Sequence, residues 1–243
     1  MDFELSEARL ALQRSAREFA EQELLPGVRE RDATSAFPVE AYKKMGKLGF
    51  IGVPYPKEYG GQGGDYLDYV LCVEEISKVD ASVGISFSVS TSLYGGSIMN
   101  GGTDEQKKKF LPDVLSGRSF GSFGLTEPDA SSDASGCKTV AVKDGDHYVI
   151  NGKKCFNTNG PLSDYFAVYA LTAPELKNKG FSCFLVKKGM PGFSIGKIED
   201  KMGIRSAQVS ELIFDNVKVP AENLIGDENN GFKIAMQALD GGR

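Results

Sequence analysis

A change in hydrophobic periodicity near residue 118 limits the fold of this chain more than any other sequence feature. Before that point apolar residues recur three and four positions apart, which places them on one face of a helix. After it, short runs of β-forming residues alternate with glycine-rich turns, a pattern typical of a barrel or sandwich. The sequence therefore predicts a helical domain over residues 1–117 and a middle antiparallel β-barrel domain over residues 118–228.

The first part of the chain carries clear helical signals. Apolar residues with helical spacing near its start are Leu5, Ala8, Leu12, Ala16 and Phe19. Residues 66–77 predict a second helix. Thr103 and Gln106 have the spacing of a capping box, in which each side chain satisfies the backbone N–H of the other residue. These local signals favour several short helices.

One segment in this part departs from the helical pattern. Val83, Ile85, Phe87 and Val89 alternate with glycine or serine. A period of two places apolar side chains on one side of an extended chain. On local evidence this segment predicts a strand.

The second part of the chain predicts short strands joined by tight turns. Asp144-Gly145 and Asn151-Gly152 are the dipeptides of two-residue hairpin turns. Strands are expected at residues 139–142, 148–150, 155–156, 165–171, 181–186, 193–198 and 211–214. From residue 229 the helical period returns, and we expect residues 229–243 to begin a further helical domain.

Composition excludes several functions and compartments. Lys and Arg total 28 against 33 Asp and Glu, so the chain lacks the basic excess of a nucleic-acid binder. The single histidine, His147, excludes a His-rich metal site, and we expect it on the surface and no bound metal. The four cysteines are widely spaced, as free thiols in a reducing cytosol are. The sequence shows no secretory signal and no membrane span, so a cytoplasmic protein is expected.

A polar turn at Phe123–Asp133 is the first candidate for a binding site. It follows a predicted strand and offers several backbone N–H groups and short oxygen-bearing side chains. Such a loop can hold an anionic or carbonyl-rich ligand without a basic side chain. Taken alone, however, its composition is more typical of a solvated turn.

Five segments together change that interpretation. They cover residues 124–136, 151–160, 201–206, 214–226 and 231–236. In their residues, order and spacing the chain resembles the acyl-CoA dehydrogenase family, and within it the short-chain, butyryl-CoA type. The resemblance implies a helical N-terminal domain, a middle β-barrel domain and a C-terminal four-helix domain that would lie largely beyond Arg243. It also implies that the segment after Asp80 is a buried helix, against the strand predicted from its period.

The resemblance implies FAD as the cofactor, bound between the barrel and the C-terminal helices. The cofactor-binding residues it implies are Phe123, Gly124, Leu125, Thr126, Ser132, Phe156, Asn157 and Thr158. The N–H groups of Leu125 and Thr126 and the Thr126 hydroxyl would face the pyrimidine edge of the flavin. Phe156 would pack on the ring system, and Thr158 would donate to flavin N5. Ser131, Cys155 and Asn157 depart from the usual family residues.

The implied reaction is the α,β-dehydrogenation of a short acyl-CoA, with electron-transfer flavoprotein as the reoxidant and a homotetramer or dimer as the assembly. The substrate-binding residues it implies are Ser132, Asp240, Gly241, Gly242 and Arg243. The family's glutamate base would lie beyond Arg243, so no catalytic residue is expected in this chain. We therefore expect a fragment that is inactive alone, with Glu127 in a structural role.

Other functions stay open at the level of sequence. A same-fold flavin oxidase or monooxygenase would share most of these residues. A non-catalytic interaction domain could keep the fold and lose the flavin, and a second polypeptide could complete the site by complementation. A mitochondrial matrix protein is the alternative to a bacterial cytoplasmic one.

Overall fold

The computed structural model describes residues 4–242, which form nine α-helices and one eight-stranded sheet. The helices are α1 Glu7–Phe19, α2 Val28–Thr34, α3 Val39–Lys47, α4 Tyr66–Val79, α5 Ala81–Ser88, α6 Gly96–Gly101, α7 Asp104–Phe110, α8 Pro112–Leu115 and α9 Gly231–Gly242. The strands are β1 Gly121–Gly124, β2 Val140–Asp144, β3 His147–Thr158, β4 Tyr165–Leu171, β5 Phe181–Lys187, β6 Phe193–Ile198, β7 Val209–Pro220 and β8 Leu224–Ile225. The change from helix to sheet near residue 118 is confirmed.

Local capping signals position the helices. The predicted capping box before α7 is confirmed, because the Thr103 hydroxyl accepts from the Gln106 N–H at 3.2 Å and the Gln106 side chain accepts from the Thr103 N–H at 3.0 Å. The predicted helix at residues 66–77 is α4, which begins after a second capping box formed by Asp65 and Asp68. Such boxes satisfy N–H groups that a helix cannot pair internally.

The strand predicted from the alternation of Val83 to Val89 is wrong. The segment is α5, followed by a π-helical stretch at Val89–Gly95. The Asp80 carboxylate accepts from the N–H groups of Ser82 and Val83 and starts the helix. Because most of its side chains are buried, with Ile85 an exposed exception, tertiary packing outweighs the local period. The buried helix implied by the family resemblance is confirmed.

The sheet differs from the predicted closed antiparallel barrel. Its strand order is β6-β7-β3-β2-β4-β5-β8, with β1 added beside β4, and within residues 4–242 the end strands β6 and β8 do not pair with each other. β4 pairs in parallel with β1 and, through one bridge, with β2, whereas the other pairings are antiparallel. The sheet is therefore open and mixed. Its last strand, β8, has two residues and adds little edge for closure.

One of the two predicted hairpin turns forms. The turn predicted at Asp144-Gly145 forms one residue later, because Asp144 pairs with His147 and the two turn residues are Gly145 and Asp146. Asn151-Gly152 instead lies inside β3, where Gly152 has φ 149° and the register against β7 shifts. Asn151 is held by the facing strand, because its side chain accepts from the Asn216 N–H at 2.8 Å. The turn predicted at residues 151–152 is thus wrong, and a β-bulge takes its place.

The helices and the sheet share one core. A buried apolar cluster runs from α1 and α3 through α5 to β4, β5 and α9, and a second cluster fills the other face of the sheet. The buried side chain of Asn159 donates to the carbonyls of Ser86, at 2.9 Å, and of Gly121, at 3.2 Å. It therefore connects α5 to β1 at the level where a cavity opens.

No helix within residues 4–242 combines the length and the apolar character that crossing a bilayer requires.

We predict that Glu75 makes folding stability depend on pH. This carboxylate is 2% exposed, accepts from Arg17 and Gln13 of α1, and also pairs with Lys78. The hydrogen bond from Arg17, opposed by burial and aided by Lys78, lowers the pKa of Glu75 from 4.5 to about 2. A lowered folded-state pKa stabilises the fold above the unfolded value, and that contribution is lost as pH falls from 4.5 to about 2.

Urea unfolding of Glu75→Gln should therefore show a loss of about 2 kcal/mol at pH 7 and a clearly smaller loss at about pH 2.5. Glu74→Gln, which removes an exposed neighbouring carboxylate paired with the same Lys78, is the control and should change stability little at either pH. An equal loss for Glu75→Gln at both pH values would contradict the prediction.

Candidate functional site

A cavity of about 440 Å³ lies between the sheet, the α5 region and α9. Its volume is within the range of small-molecule sites. The lining residues are Val89, Leu93, Phe123, Leu125, Thr126, Ser131, Ser132, Asp133, Ala134, Ser135, Cys155, Phe156, Thr158, Phe232, Met236 and Leu239. Three parts of the chain that are distant in sequence thus build one site.

Most of the residues expected to bind the cofactor meet at this cavity. Those that line it are Phe123, Leu125, Thr126, Ser132, Phe156 and Thr158. Gly124 and Asn157 lie behind its wall. A Cβ at Gly124 would stand 3.3 Å from Leu212, and the Asn157 side chain is buried and donates to the Ser210 carbonyl at 2.9 Å. The roles of these eight residues stay predictions.

A β-bulge presents Phe156 to the cavity. Between the pairs Lys154–Leu212 and Asn157–Ser210, β3 has two residues where β7 has one. Phe156 adopts φ 57°, a left-handed conformation that costs an L-residue about 1–2 kcal/mol. Its ring is 63% exposed, although large aromatic rings are normally buried. Strain and exposure at one cavity-lining residue point to a ligand that covers the ring.

Hydrogen-bond donors without partners line the same wall. Four hydrogen-bond donors on this wall have no acceptor within residues 4–242. They are the N–H groups of Leu125 and Thr126 and the hydroxyls of Thr126 and Thr158. Their carbonyls are engaged, since that of Thr126 accepts from the Cys155 N–H at 2.9 Å and that of Thr158 from the Ser122 hydroxyl at 2.8 Å. This wall can therefore donate to a ligand edge rich in acceptors.

A buried ion pair lies directly behind this wall. Lys154 is fully buried, and its Nζ donates to the Glu127 carboxylate at 2.7 Å and to the Leu125 carbonyl at 3.1 Å. Burial raises the pKa of Glu127, but the charge and hydrogen bond of Lys154, together with donors from Thr139 and Lys138, outweigh it and hold the pKa below its usual range. Glu127 is thus an ionised, fully engaged carboxylate, and it is not placed to act as a base.

The residues expected to bind the CoA part of the substrate do not all lie at the cavity that Ser132 lines. Asp240 and Gly241 line a separate depression with Tyr66, Asn100 and Gln237. A Cβ at Gly242 would stand 2.9 Å from Leu93, at the edge of the cavity wall. Arg243 lies outside the described residues. Their part in substrate binding stays a prediction.

Sequence reasoning missed the apolar side of the cavity. Val89 and Leu93 belong to the π-helical stretch after α5, and the strand predicted there concealed them. Phe232, Met236 and Leu239 recur at helical spacing on α9. That spacing indicates a helix face but does not say which cavity the face closes.

The fold combines a helical part with an open sheet. The cavity between them has unpaired donors and an exposed aromatic ring, which are the features of a ligand-binding protein of mixed α and β structure. Two family models match the chain: the acyl-CoA dehydrogenase N-terminal domain over residues 6–118 and the acyl-CoA dehydrogenase middle domain over residues 122–217. The chain belongs to the acyl-CoA dehydrogenase family.

Individual relatives agree with this assignment. The chain is 49% identical over 243 residues to the short-chain specific acyl-CoA dehydrogenase of Clostridium acetobutylicum, covering all of this chain and 64% of that protein. The solved structure of butyryl-CoA dehydrogenase from Megasphaera elsdenii superposes on this chain with a TM-score of 0.96 at 46% identity. A structure of the electron transferring flavoprotein of Acidaminococcus fermentans superposes with a TM-score of 0.98 at 49% identity. In both, the match covers 100% of this chain and 64% of the other.

We predict that Phe156 is held in a strained backbone conformation that glycine would relieve. Glycine adopts positive φ without a Cβ clash, and the exposed ring contributes little burial. Phe156→Gly should therefore unfold with a free energy about 1 kcal/mol higher than Phe156→Ala, measured by urea denaturation without ligand.

The matched control is Lys153 on the same strand, which is exposed and not among the residues with positive φ. There glycine should be less stable than alanine, by about 0.5–1 kcal/mol. The same order at both positions would show that Phe156 is not strained.

Proposed function

We propose that the cavity binds FAD and that the protein takes part in the α,β-dehydrogenation of a short-chain acyl-CoA. The observation that carries the proposal is the row of unpaired donors at Leu125, Thr126 and Thr158 beside the exposed ring of Phe156. A flavin has an acceptor-rich edge and a flat face, which matches this donor row and aromatic surface. The short-chain dehydrogenase and butyryl-CoA dehydrogenase relatives support the choice of reaction and substrate.

Bound FAD would supply two-electron chemistry by accepting a hydride from the β-carbon of the acyl chain. The chain's own residues prepare for that step. The Leu125 and Thr126 N–H groups and the Thr126 hydroxyl would donate where negative charge develops on the pyrimidine edge. Thr158 would donate at N5, and Ser132 would contact the CoA part of the substrate. Leu93, Phe232 and Met236 would exclude water from the reacting atoms.

The proton from the α-carbon needs a separate base. Among the described residues that line the cavity, Asp133 is the one carboxylate. Its oxygen accepts from the N–H and hydroxyl of Ser135, and these hydrogen bonds lower its pKa, which makes it a weak base. We therefore propose that the base is a carboxylate outside residues 4–242.

The remaining parts of the function are further proposals. Electron-transfer flavoprotein is the proposed electron acceptor, supported by the likeness to the structure from Acidaminococcus fermentans. A homotetramer or dimer, and a cytoplasmic location in bacteria, remain predictions from the family resemblance. No observation on the described residues favours a flavin oxidase, a monooxygenase or a non-catalytic domain over the dehydrogenase.

We predict that the chain binds FAD and that two hydroxyls contribute to the affinity. Thr126→Val and Thr158→Val remove one donor each and keep the shape of the side chain. Each should weaken FAD binding about fivefold, as expected for one neutral hydrogen bond. Quenching of FAD fluorescence during titration measures this affinity.

Serine at either position retains the hydroxyl and should restore most of the affinity. Thr34→Val, on the exposed end of α2 and away from the cavity, is the control and should bind FAD like the unchanged chain. Absence of FAD binding by the unchanged chain would refute the proposed cofactor.

We also predict that this 243-residue chain, loaded with FAD, is not reduced by butyryl-CoA. The reason is the lack of a sufficiently basic carboxylate at the described cavity. Flavin absorbance at roughly 450 nm should stay constant after butyryl-CoA is added. Dithionite should bleach the same sample, which shows that the flavin can accept electrons. Bleaching by butyryl-CoA alone would show that the chain holds a working base.

A further inference from the structure

The carbonyl of Leu125 receives an unusual pair of donors. The buried ammonium of Lys154 donates to it at 3.1 Å, and the thiol of Cys137 donates at 3.3 Å. A fully buried lysine is rare and costly unless its charge is compensated. Here Glu127 compensates it, and that carboxylate also accepts from the N–H groups of Lys138, at 2.6 Å, and Thr139, at 3.0 Å. Four donors and a buried ion pair thus hold one turn behind the cavity.

The geometry of the peptide bond transmits this arrangement to the cavity. The Leu125 carbonyl and the Thr126 N–H belong to the same planar trans peptide, so they point in opposite directions. The carbonyl points inward, to the ammonium. The Thr126 N–H therefore points outward, toward the cavity that Leu125 and Thr126 line, and it has no acceptor among residues 4–242.

The ammonium also changes the strength of that donor. A cation at the carbonyl oxygen draws electron density through the peptide and makes its N–H a stronger donor. This polarisation is stronger where water does not screen the ammonium. The charge is buried here, so solvent screens it little.

We propose that Lys154 is a positioning residue that acts through the Leu125–Thr126 peptide: it aims and polarises the Thr126 N–H and so raises the electron affinity of the flavin held in the cavity. The proposal rests on the proposed FAD site and deepens it. It gives the buried ion pair a role beyond stability, since a buried pair is often no more stabilising than apolar residues of similar volume.

The test compares the reduction midpoint potential of bound FAD in four versions of this 243-residue chain. Lys154→Met removes the ammonium and keeps the stem of the side chain. Lys154→Met with Glu127→Gln removes both charges, so that no uncompensated carboxylate stays buried and the fold is protected. Cys137→Ala keeps the ammonium and removes the second donor to the Leu125 carbonyl. The unchanged chain is the reference.

Both chains without the ammonium should shift the two-electron equilibrium toward oxidised FAD about tenfold, or about 30 mV. Cys137→Ala should keep the reference potential. Weaker FAD binding with an unchanged potential in the Lys154→Met chains would mean a merely structural role and overturn the proposal. A double variant that returns to the reference potential would also overturn it, because the shift would then come from the uncompensated buried charge of Glu127.

These outcomes separate the two proposals. A reference chain that takes up no FAD refutes the proposed function, and this inference with it. A reference chain that binds FAD, beside ammonium-free chains of equal potential, refutes only the role of Lys154.

Discussion

The contact between the α5 region and the first strand is the constraint on which the site depends. Asn159, at the end of β3, donates to the carbonyls of Ser86 and Gly121 from a fully buried position. The Ser90 hydroxyl also donates to the Gly121 carbonyl, so two buried polar side chains connect the helical part to the first strand. The cavity opens beside it. One wall comes from the helix that follows Asp80, and the other from β1 and β3. Two walls of different structure therefore enclose one ligand-sized space.

Local signals were enough to predict α1, α4, α7, the start of α9 and most strands, but not long-range pairing. The capping box at Thr103 and the β4 strand follow from a few neighbouring residues. Closure of the sheet depends on whether β6 meets β8, which no local pattern encodes. The helix at Ala81–Ser88 shows the opposite failure. Its alternating residues favour a strand locally, but Asp80 caps it and most of its side chains are buried in the helical conformation.

The candidate site could be predicted only in part, and for physical reasons. The family resemblance supplied the loop at Phe123–Ser132 and the residues at Phe156–Thr158, because those segments carry distinctive side chains. It could not supply the bulge that presents Phe156, since a bulge is a register relation between β3 and β7. Nor could it separate Asn157, whose side chain is buried behind the wall, from its two neighbours that line the cavity. Orientation within a strand depends on the partner strand.

The energetically unfavourable features of this site lie close to where the ligand would bind. A strained Phe156, four donors without acceptors and a buried lysine are each unfavourable in a protein that only has to fold. They occur within two short segments at one cavity, residues 125–126 and 154–158, whereas the caps and ion pairs of α1 and α4 are fully satisfied. A bound flavin would cover the ring and accept hydrogen bonds from the donors. These contacts would offset the backbone strain and the unsatisfied donors of this wall. Binding and folding should accordingly be coupled at this wall, and the coupling should be strongest through β3, which carries Lys154, Phe156 and Thr158 on one continuous strand.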